Sequence, residues 1–232
     1  MLFYFGLKKE VIGITKFCIH PKEWHTNKTK VGGTKNINID IVKKLNPDLI
    51  IANKEDNEKD QVEELAKHFP VWVTNVNNLQ DAMQMITDVG ELTHVINKAE
   101  NLIAKIKRGF SQLQTTHHKL KTIYLIWKDP YMTVGGDTFI NDMMDQCGLQ
   151  NIFEHQNRYP QITLDALQNV DTELILLSSE PYPFKEKHIH ELQQYIPAKK
   201  IILVDGEMFS WYGSRLLHAP AYFKDLIKSI SH

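Results

Sequence analysis

Short apolar runs alternate with stretches of helical periodicity along most of the chain. The apolar runs are nearly continuous, which is typical of strands that helices cover on both faces. The strand candidates are residues 11–15, 48–52, 71–74, 122–127, 174–178 and 201–204. The helical segments are residues 40–45, 60–68, 139–147, 163–169, 187–195 and 214–230. This order predicts an α/β fold with parallel sheets and right-handed crossovers.

The middle of the chain follows a different pattern. Apolar residues recur at steps of three and four from about residue 78 to 113, with no strand candidate among them. The stripe predicts a long helix, whose start Asn77 or Asn78 can cap. An unbroken helix of this length would span about 50 Å, enough to pack against two lobes. We therefore expect a spine helix that joins two lobes, and the pattern leaves open whether Gly90 divides it.

The segments on either side of the spine repeat the same order of features. Each contains a Val-Gly-Gly triplet, at residues 31–33 and 134–136, followed by helical and strand segments in the same order. Two adjacent glycines allow the backbone to turn sharply or to approach a ligand closely. The repetition predicts an N-terminal lobe at residues 1–77 and a C-terminal lobe at residues 114–232, with residues 78–113 as the link.

The composition fits a soluble globular protein and excludes some function classes. The 232 residues include 42% hydrophobic and 24% charged residues, and the formal net charge is -1 at pH 7. Nucleic acid is not an expected partner, because the sequence has neither an excess of positive charge nor a basic stripe. No segment approaches the roughly 18 consecutive apolar residues of a membrane span. The first residues do not have the pattern of a signal peptide.

The loops that leave the predicted strands carry aromatic residues and prolines, where surface loops are usually polar. Ligands of open parallel sheets bind at this position, beyond the carboxyl ends of the strands. The rings would line a cleft, while Lys16, Lys128 and Arg215 supply positive charge, which suits a large flat or macrocyclic ligand with acidic groups. The alternative for each ring is an ordinary place in the core. The expected ligand-binding residues are Lys16, Phe17, Asn53, Trp127, Tyr131, Phe184, Phe209, Trp211, Tyr212 and Arg215.

Four longer stretches carry a similarity that covers essentially the whole chain. They are GITKFCIHP, VGGTKNINIDIVKKLNPDLIIANKEDN, WKDPYMTVGGDTFINDMMDQCG and DGEMFSWYGSRLLHAP. In this order they resemble the solute-binding proteins of ABC importers for cobalamin and iron–siderophore complexes. The resemblance implies two lobes joined by a long helix, with a ferric siderophore, haem or cobalamin held in the cleft between them. It implies neither catalysis nor a covalent cofactor.

The same resemblance implies a partner and a location. A monomeric receptor of this kind would deliver its metal chelate to an ABC permease, in the periplasm or on the outer face of the cytoplasmic membrane. Acidic residues on the outer tips of the lobes would dock onto basic residues of the permease. The candidates are Glu55, Asp56 and Glu58 on the first lobe, and Glu180, Glu186 or Glu207 on the second.

Two features depart from the resemblance. Relatives begin with a signal sequence or a lipid anchor and then a first strand, whereas Met1 falls just after the position where that strand should end. We expect a shortened N-terminus, and predict that extending the reading frame upstream restores a strand and an export signal. Asn53 stands where some cobalamin binders carry an aromatic residue, which keeps iron chelates and haem open as ligands.

Direct metal binding is one alternative function. Cys18, His20 and His25 lie close in sequence and could supply three ligands to zinc or iron. A further ligand is not evident, and His188 with His190 forms a weaker candidate pair.

A cytosolic enzyme that acts on a chelate is the other alternative. Asp137 and Asp142 with His155 could form an acid–base set, although nothing in the sequence fixes their geometry. Residues 213–215 do not complete a G-x-S-x-G motif, and no glycine-rich phosphate loop occurs. Asp137 followed by Thr138 more plausibly begins a helix.

Overall fold

The structure is a computed structural model that describes residues 1–113, 119–197 and 199–230. It divides into two compact units, Met1–Asn75 and Val76–His232. The second unit includes the helical segment that the sequence analysis assigned to a separate link. No helix among the described residues is both long enough and apolar enough to cross a membrane.

The first unit alternates short strands and helices. Its elements are β1 (Gly13–Ile14), α1 (Lys22–Asn27), β2 (Thr29–Lys30), α2 (Ile39–Leu45), β3 (Ile50–Asn53), α3 (Lys59–Ala66) and β4 (Val71–Thr74). Strands β1 and β2 form one parallel pair, and β3 and β4 form another. Strand β1 is therefore shorter than the strand predicted at residues 11–15, and β2 was not predicted.

The second unit contains the larger sheet. Its strands are β5 (Leu120–Leu125), β6 (Tyr131–Met132), β7 (Leu149–Asn151), β8 (Gln161–Ile162), β9 (Leu174–Ser178) and β10 (Lys200–Val204). Four of them form a parallel sheet in the order β10-β9-β5-β7, while β6 and β8 form an antiparallel pair. All five residues of β9 are buried, as the continuous apolar pattern predicted. The α/β fold with parallel sheets and flanking helices is confirmed.

The helices of the second unit cover this sheet and complete the core. They are α4 (Leu79–Leu92), α5 (Ile96–Ser111), α6 (Phe139–Gln146), α7 (Leu164–Asn169), α8 (Glu186–Tyr195), α9 (Glu207–Ser210), a 3₁₀ helix (Gly213–Leu217) and α10 (Ala219–Ile230). Two predicted caps are present. Asn78 accepts a hydrogen bond from the Asp81 N–H at 2.8 Å, and Thr138 accepts one from the Asn141 N–H at 3.2 Å.

The segment expected as one spine helix consists of two helices, α4 and α5. Helix α4 ends in a Schellman motif, in which the Val95 N–H bonds to the Gly90 carbonyl at 2.7 Å. His94 occupies the left-handed position of this motif, with φ of 55°. Gly90 lies inside α4, and a Cβ placed there would be 2.5 Å from the Ala99 Cβ on α5. Gly90 therefore permits close packing of the two helices and is not the point of division.

Candidate functional site

The carboxyl ends of three neighbouring strands define the candidate site of the second unit. Strand β5 ends at Leu125, β9 at Ser178 and β10 at Val204, and the three are parallel. The loops that follow them therefore leave the same edge of the sheet. We call the residues Glu180, Asp205, Glu207, Trp211 and Arg215 on two of these loops the Trp211 cluster.

Glu180 is the hydrogen-bonding centre of the Trp211 cluster. Its Oε1 accepts a hydrogen bond from the Trp211 indole Nε1 at 2.7 Å and one from the Ser210 hydroxyl at 2.5 Å. Gly206 makes room for this arrangement, because a Cβ there would lie 2.6 Å from the Glu180 Cγ. The loop after β9 is thus fixed to the loop after β10 through one carboxylate oxygen.

Burial raises the pKa of the Glu180 carboxyl above its usual range, and the nearby negative charges of Glu207 and Asp205 act in the same direction. The hydrogen bonds from Ser210 and Trp211 favour the charged form and oppose the shift. Burial and the carboxylates of Glu207 and Asp205 therefore disfavour the charged form of Glu180, and the two hydrogen bonds partly offset this free-energy cost.

Of the three cations expected to bind an acidic ligand, Lys128 and Arg215 lie in the second unit, and both are paired there. Arg215 forms an ion pair with Glu207 through Nη2 and Oε2, and the two side chains are only 27% and 15% exposed. Lys128 Nζ contacts both oxygens of Glu191, at 2.5 and 2.6 Å. The Nε of Arg215 is buried and has no hydrogen-bond partner among the described residues. Neither Glu191 nor Glu207 was predicted as a partner of these cations.

Three of the expected ligand-binding rings are part of the core. Phe209 is completely buried, with its ring centroid 5.1 Å from that of Tyr124 and 4.8 Å from that of Phe223. Tyr131 and Phe184 belong to the hydrophobic cluster beneath the loops. The expectation that these rings line a cleft is corrected by the structure, because their faces are occupied by residues of the same unit.

Other expected rings of the second unit remain accessible. Trp127 is 40% exposed and packs edge-on against Tyr182, with centroids 5.7 Å apart. Tyr212 is partly exposed and packs edge-on against Phe139 at 5.3 Å. Together with the partly exposed Trp211, they are the aromatic side chains of the candidate set that a ligand of this unit could reach.

A buried histidine, His188, packs against Tyr182, the ring that Trp127 also contacts, and was not predicted to belong to this region. Its Nδ1 accepts a hydrogen bond from the Lys185 N–H at 2.9 Å, and its Nε2 lies 3.4 Å from the Tyr182 hydroxyl. Burial lowers the pKa of His188, and the charges of Lys187 and Lys128 lower it further. The imidazole therefore supports Tyr182 and the start of α8 in its neutral form.

The expected residues of the first unit lie on the loops after β1 and β3. Lys16 and Phe17 are exposed, with Lys16 Nζ 5.1 Å from the Phe17 ring centroid. Asn53 has a local role, because its Oδ1 accepts hydrogen bonds from the N–H groups of Glu55 at 2.6 Å and Asp56 at 3.3 Å. Asn53 thus shapes the loop that carries the predicted docking acids.

The docking candidates of the first unit are at least partly accessible. Asp56 and Glu58 are exposed, and Glu55 is partly exposed. Glu58 forms an ion pair of 3.5 Å with Lys35. Both side chains are exposed, so the pair contributes little to stability.

The two Val-Gly-Gly triplets bring backbone segments close together inside each unit. Gly32 has φ of 105°, and a Cβ there would clash with the Asn36 carbonyl oxygen. A Cβ on Gly136 would clash with the Glu154 carbonyl oxygen. In the structure, these glycines permit the close approach of one backbone segment to another within the same unit.

The candidate metal ligands form no site among the described residues, and the candidate acids of the enzyme alternative make hydrogen bonds to the backbone. No group of three or more His, Cys, Asp or Glu among the described residues could hold a metal ion, and Cys18, His20 and His25 do not form one. Asp137 accepts a hydrogen bond from the Arg158 N–H at 2.5 Å, and Asp142 accepts one from the Leu79 N–H at 2.7 Å. Both carboxylates therefore bind the backbone. His155 stacks on Phe153.

A family model and the similar proteins both point to the same family of binding proteins. Residues 1–197 match the model of a family described as periplasmic binding protein. An uncharacterized ABC transporter substrate-binding lipoprotein of Bacillus subtilis is 27% identical over 183 residues, which are 74% of this chain and 57% of that protein. A vitamin B12-binding protein of Vibrio parahaemolyticus is 24% identical over 179 residues, which are 75% of this chain and 64% of that protein. The matched regions thus span about three fifths of the lengths of these relatives.

A solved structure shares the fold over the whole chain. The crystal structure of S. aureus IsdE complexed with heme superposes with a TM-score of 0.78, covering 100% of this chain and 94% of the other. The sequences are 16% identical, so the likeness concerns the fold alone.

Proposed function

The chain belongs to the periplasmic binding protein family, and from that premise we propose that it is the solute-binding component of an ABC importer. Its ligand is a ferric siderophore, haem or cobalamin, which it captures and delivers to a membrane permease. The observation that carries the proposal is the family match over residues 1–197 together with accessible rings at the carboxyl edge of the large sheet. The vitamin B12 and heme proteins among the relatives and solved structures support this ligand class.

In this proposal the second unit contributes flat apolar surface to the ligand. Trp127, Trp211 and Tyr212 offer accessible rings, and the indole of Trp211 is held in orientation by Glu180. Aromatic faces suit corrin, porphyrin and catechol or hydroxamate chelates, because each presents a broad, weakly hydrated surface. Phe209, Tyr131 and Phe184 are buried in the core of the same unit and do not contribute to this surface.

The first unit contributes Lys16 and Phe17, which are exposed on the loop after β1. Glu55, Asp56 and Glu58 provide the acidic surface for the permease, because they are accessible and close together in sequence. Transfer to a permease requires a place outside the cytoplasmic membrane, so we assign the protein to the periplasm or to the outer face of the cytoplasmic membrane. The chain acts as a receptor and not as a catalyst.

Gel filtration followed by visible absorption spectroscopy tests the proposal. The purified protein is mixed separately with cobalamin, haem and a set of ferric siderophores, each of which is coloured. Co-elution of one of them in a one-to-one ratio is the expected result. Failure of every chelate to co-elute with protein that is folded by circular dichroism would contradict the proposal.

A further inference from the structure

We propose that the candidate site selects a metal chelate of neutral or positive net charge over an anionic one. This inference rests on the proposed function and names the charge class of its ligand. It departs from the sequence-based expectation of an acidic ligand, which relied on Lys16, Lys128 and Arg215 as available cations.

Arg215 is the first reason. Its guanidinium is paired with Glu207, and both side chains are largely removed from solvent. A ligand carboxylate could bind Arg215 only by displacing Glu207 or by lying close to it. Displacement would take the guanidinium away from a carboxylate that is only 15% exposed, and breaking a largely buried ion pair is costly. The Glu207 carboxylate therefore largely neutralises the charge of the guanidinium, so a ligand anion gains little from approaching it.

Lys128 is the second reason. Its Nζ lies within hydrogen-bond distance of both oxygens of Glu191, and its side chain is only 14% exposed. The Glu191 carboxylate neutralises this charge on the loop that also carries Trp127. Lys185 and Lys187 are exposed at the start of α8, as its N-cap and in its first turn, with Glu186 between them, so solvent screens their charges.

The balance of charge around Trp211 is the third reason. Glu180, Asp205 and Glu207 place three carboxylates in the Trp211 cluster, against the single cation of Arg215. Glu180 cannot move away from this surface, because Trp211 and Ser210 both donate to its Oε1. A ligand stacked on the Trp211 ring would therefore lie in a negative potential, which favours positive charge.

A charge series on one ligand core tests this inference. A linear ferric trihydroxamate with a terminal amine carries one positive charge, its acetylated form is neutral, and its succinylated form carries one negative charge. Cobalamin and its monocarboxylate form a second series on a corrin core. Dissociation constants are measured by quenching of tryptophan fluorescence at low and moderate salt. We expect the anionic member to bind roughly tenfold more weakly than the neutral or cationic member, and the difference to shrink with salt.

A substitution of Glu207 tests whether the charge preference arises in the Trp211 cluster. Glu207→Gln removes the negative charge that neutralises Arg215, and is expected to tighten binding of the anionic member relative to the cationic one by roughly tenfold. Glu100→Gln removes the same charge from an exposed position on α5 and is expected to leave the ratio unchanged. The thermal unfolding of each variant is measured first. The series on the unmodified protein decides the question even where Glu207→Gln does not fold.

The possible results are distinguishable. A preference for neutral and cationic members supports the inference. Equal or tighter binding of the anionic members overturns it and leaves the proposed function standing. Haem carries two carboxylates. If haem binds while cobalamin and the neutral trihydroxamate do not, the inference is likewise overturned and the proposed function stands. If no chelate of any charge binds, the proposed function fails and the inference fails with it.

Discussion

The indole Nε1 of Trp211 donates a hydrogen bond to Glu180 Oε1 over 2.7 Å. The two residues lie on loops that follow different strands, β9 and β10, and this bond fixes the orientation of a partly exposed ring. Ser210 donates to the same oxygen at 2.5 Å. The carboxylate thus positions a proposed ligand-binding side chain while adding negative charge beside it.

Two substitutions of Glu180 should therefore separate the contribution of its hydrogen-bond acceptor from that of its negative charge. Glu180→Ala leaves the Trp211 and Ser210 donors without their acceptor, and we expect a loss of about 1–3 kcal/mol in the free energy of unfolding. Glu180→Gln keeps a carbonyl acceptor and removes the buried charge, so it should retain most of the stability. Urea unfolding at neutral pH measures both. Equal losses in the two variants would show that the charge, and not the acceptor, is what matters.

Gly90→Ala should destabilise the packing of α4 on α5. Alanine normally stabilises a helix interior relative to glycine by about 0.5–1 kcal/mol, but here the added Cβ would lie 2.5 Å from that of Ala99. We expect a net loss of about 1–3 kcal/mol from this overpacking. The matched test is the double variant with Ala99→Gly, which removes the opposing methyl group and should restore part of the stability. No recovery in the double variant would contradict the packing argument.

His188 should make the second unit sensitive to acid. The pKa of the His188 imidazole in the folded state is lowered below the ordinary value of about 6.5, because burial disfavours its charged form and the charges of Lys187 and Lys128 act in the same direction. The unfolded chain therefore binds the proton more readily. The stability contributed by neutral His188 is present above about pH 6.5 and is lost as the pH falls through the lower folded pKa.

Urea unfolding at pH 7.5 and pH 5 measures this effect. His188→Asn can keep an acceptor for the Lys185 N–H but cannot titrate, so its stability should fall less between the two pH values than that of the unmodified protein. His190→Asn, at an exposed position on the same helix, is the control. An equal fall in all three proteins would count against a role for His188.

Trp127→Ala should weaken ligand binding without a large loss of stability. The ring is 40% exposed, and its loss removes apolar contact worth about 1–2 kcal/mol, a factor of roughly 5 to 30 in affinity. Tyr195→Ala is the matched control, because Tyr195 is 49% exposed at the end of α8, toward the amino edge of the sheet. Fluorescence or absorbance titration with the chelate found by gel filtration compares the two. Similar affinities would move the site away from Trp127.

The alternative functions had local sequence support, but their geometry depended on distant residues. Asp137 and Asp142 were suitable acids by type, yet each accepts a bond from a backbone N–H contributed by another segment, at Arg158 and Leu79. The three ligands proposed at Cys18, His20 and His25 do not converge. Residue type and spacing identify possible chemistry, whereas convergence is a property of the folded chain.

The sequence by itself determined the α/β fold, the buried parallel strands such as β9, and the caps at Asn78 and Thr138, because strand periodicity and helix capping depend on neighbours along the chain. Only the tertiary structure decided that Phe209 is core and Trp127 is accessible, that Arg215 is neutralised by Glu207, and that the central helical segment is divided at His94. Burial and ion pairing depend on contacts between residues that are distant in sequence. The break at His94 needed a left-handed residue that is not the usual glycine.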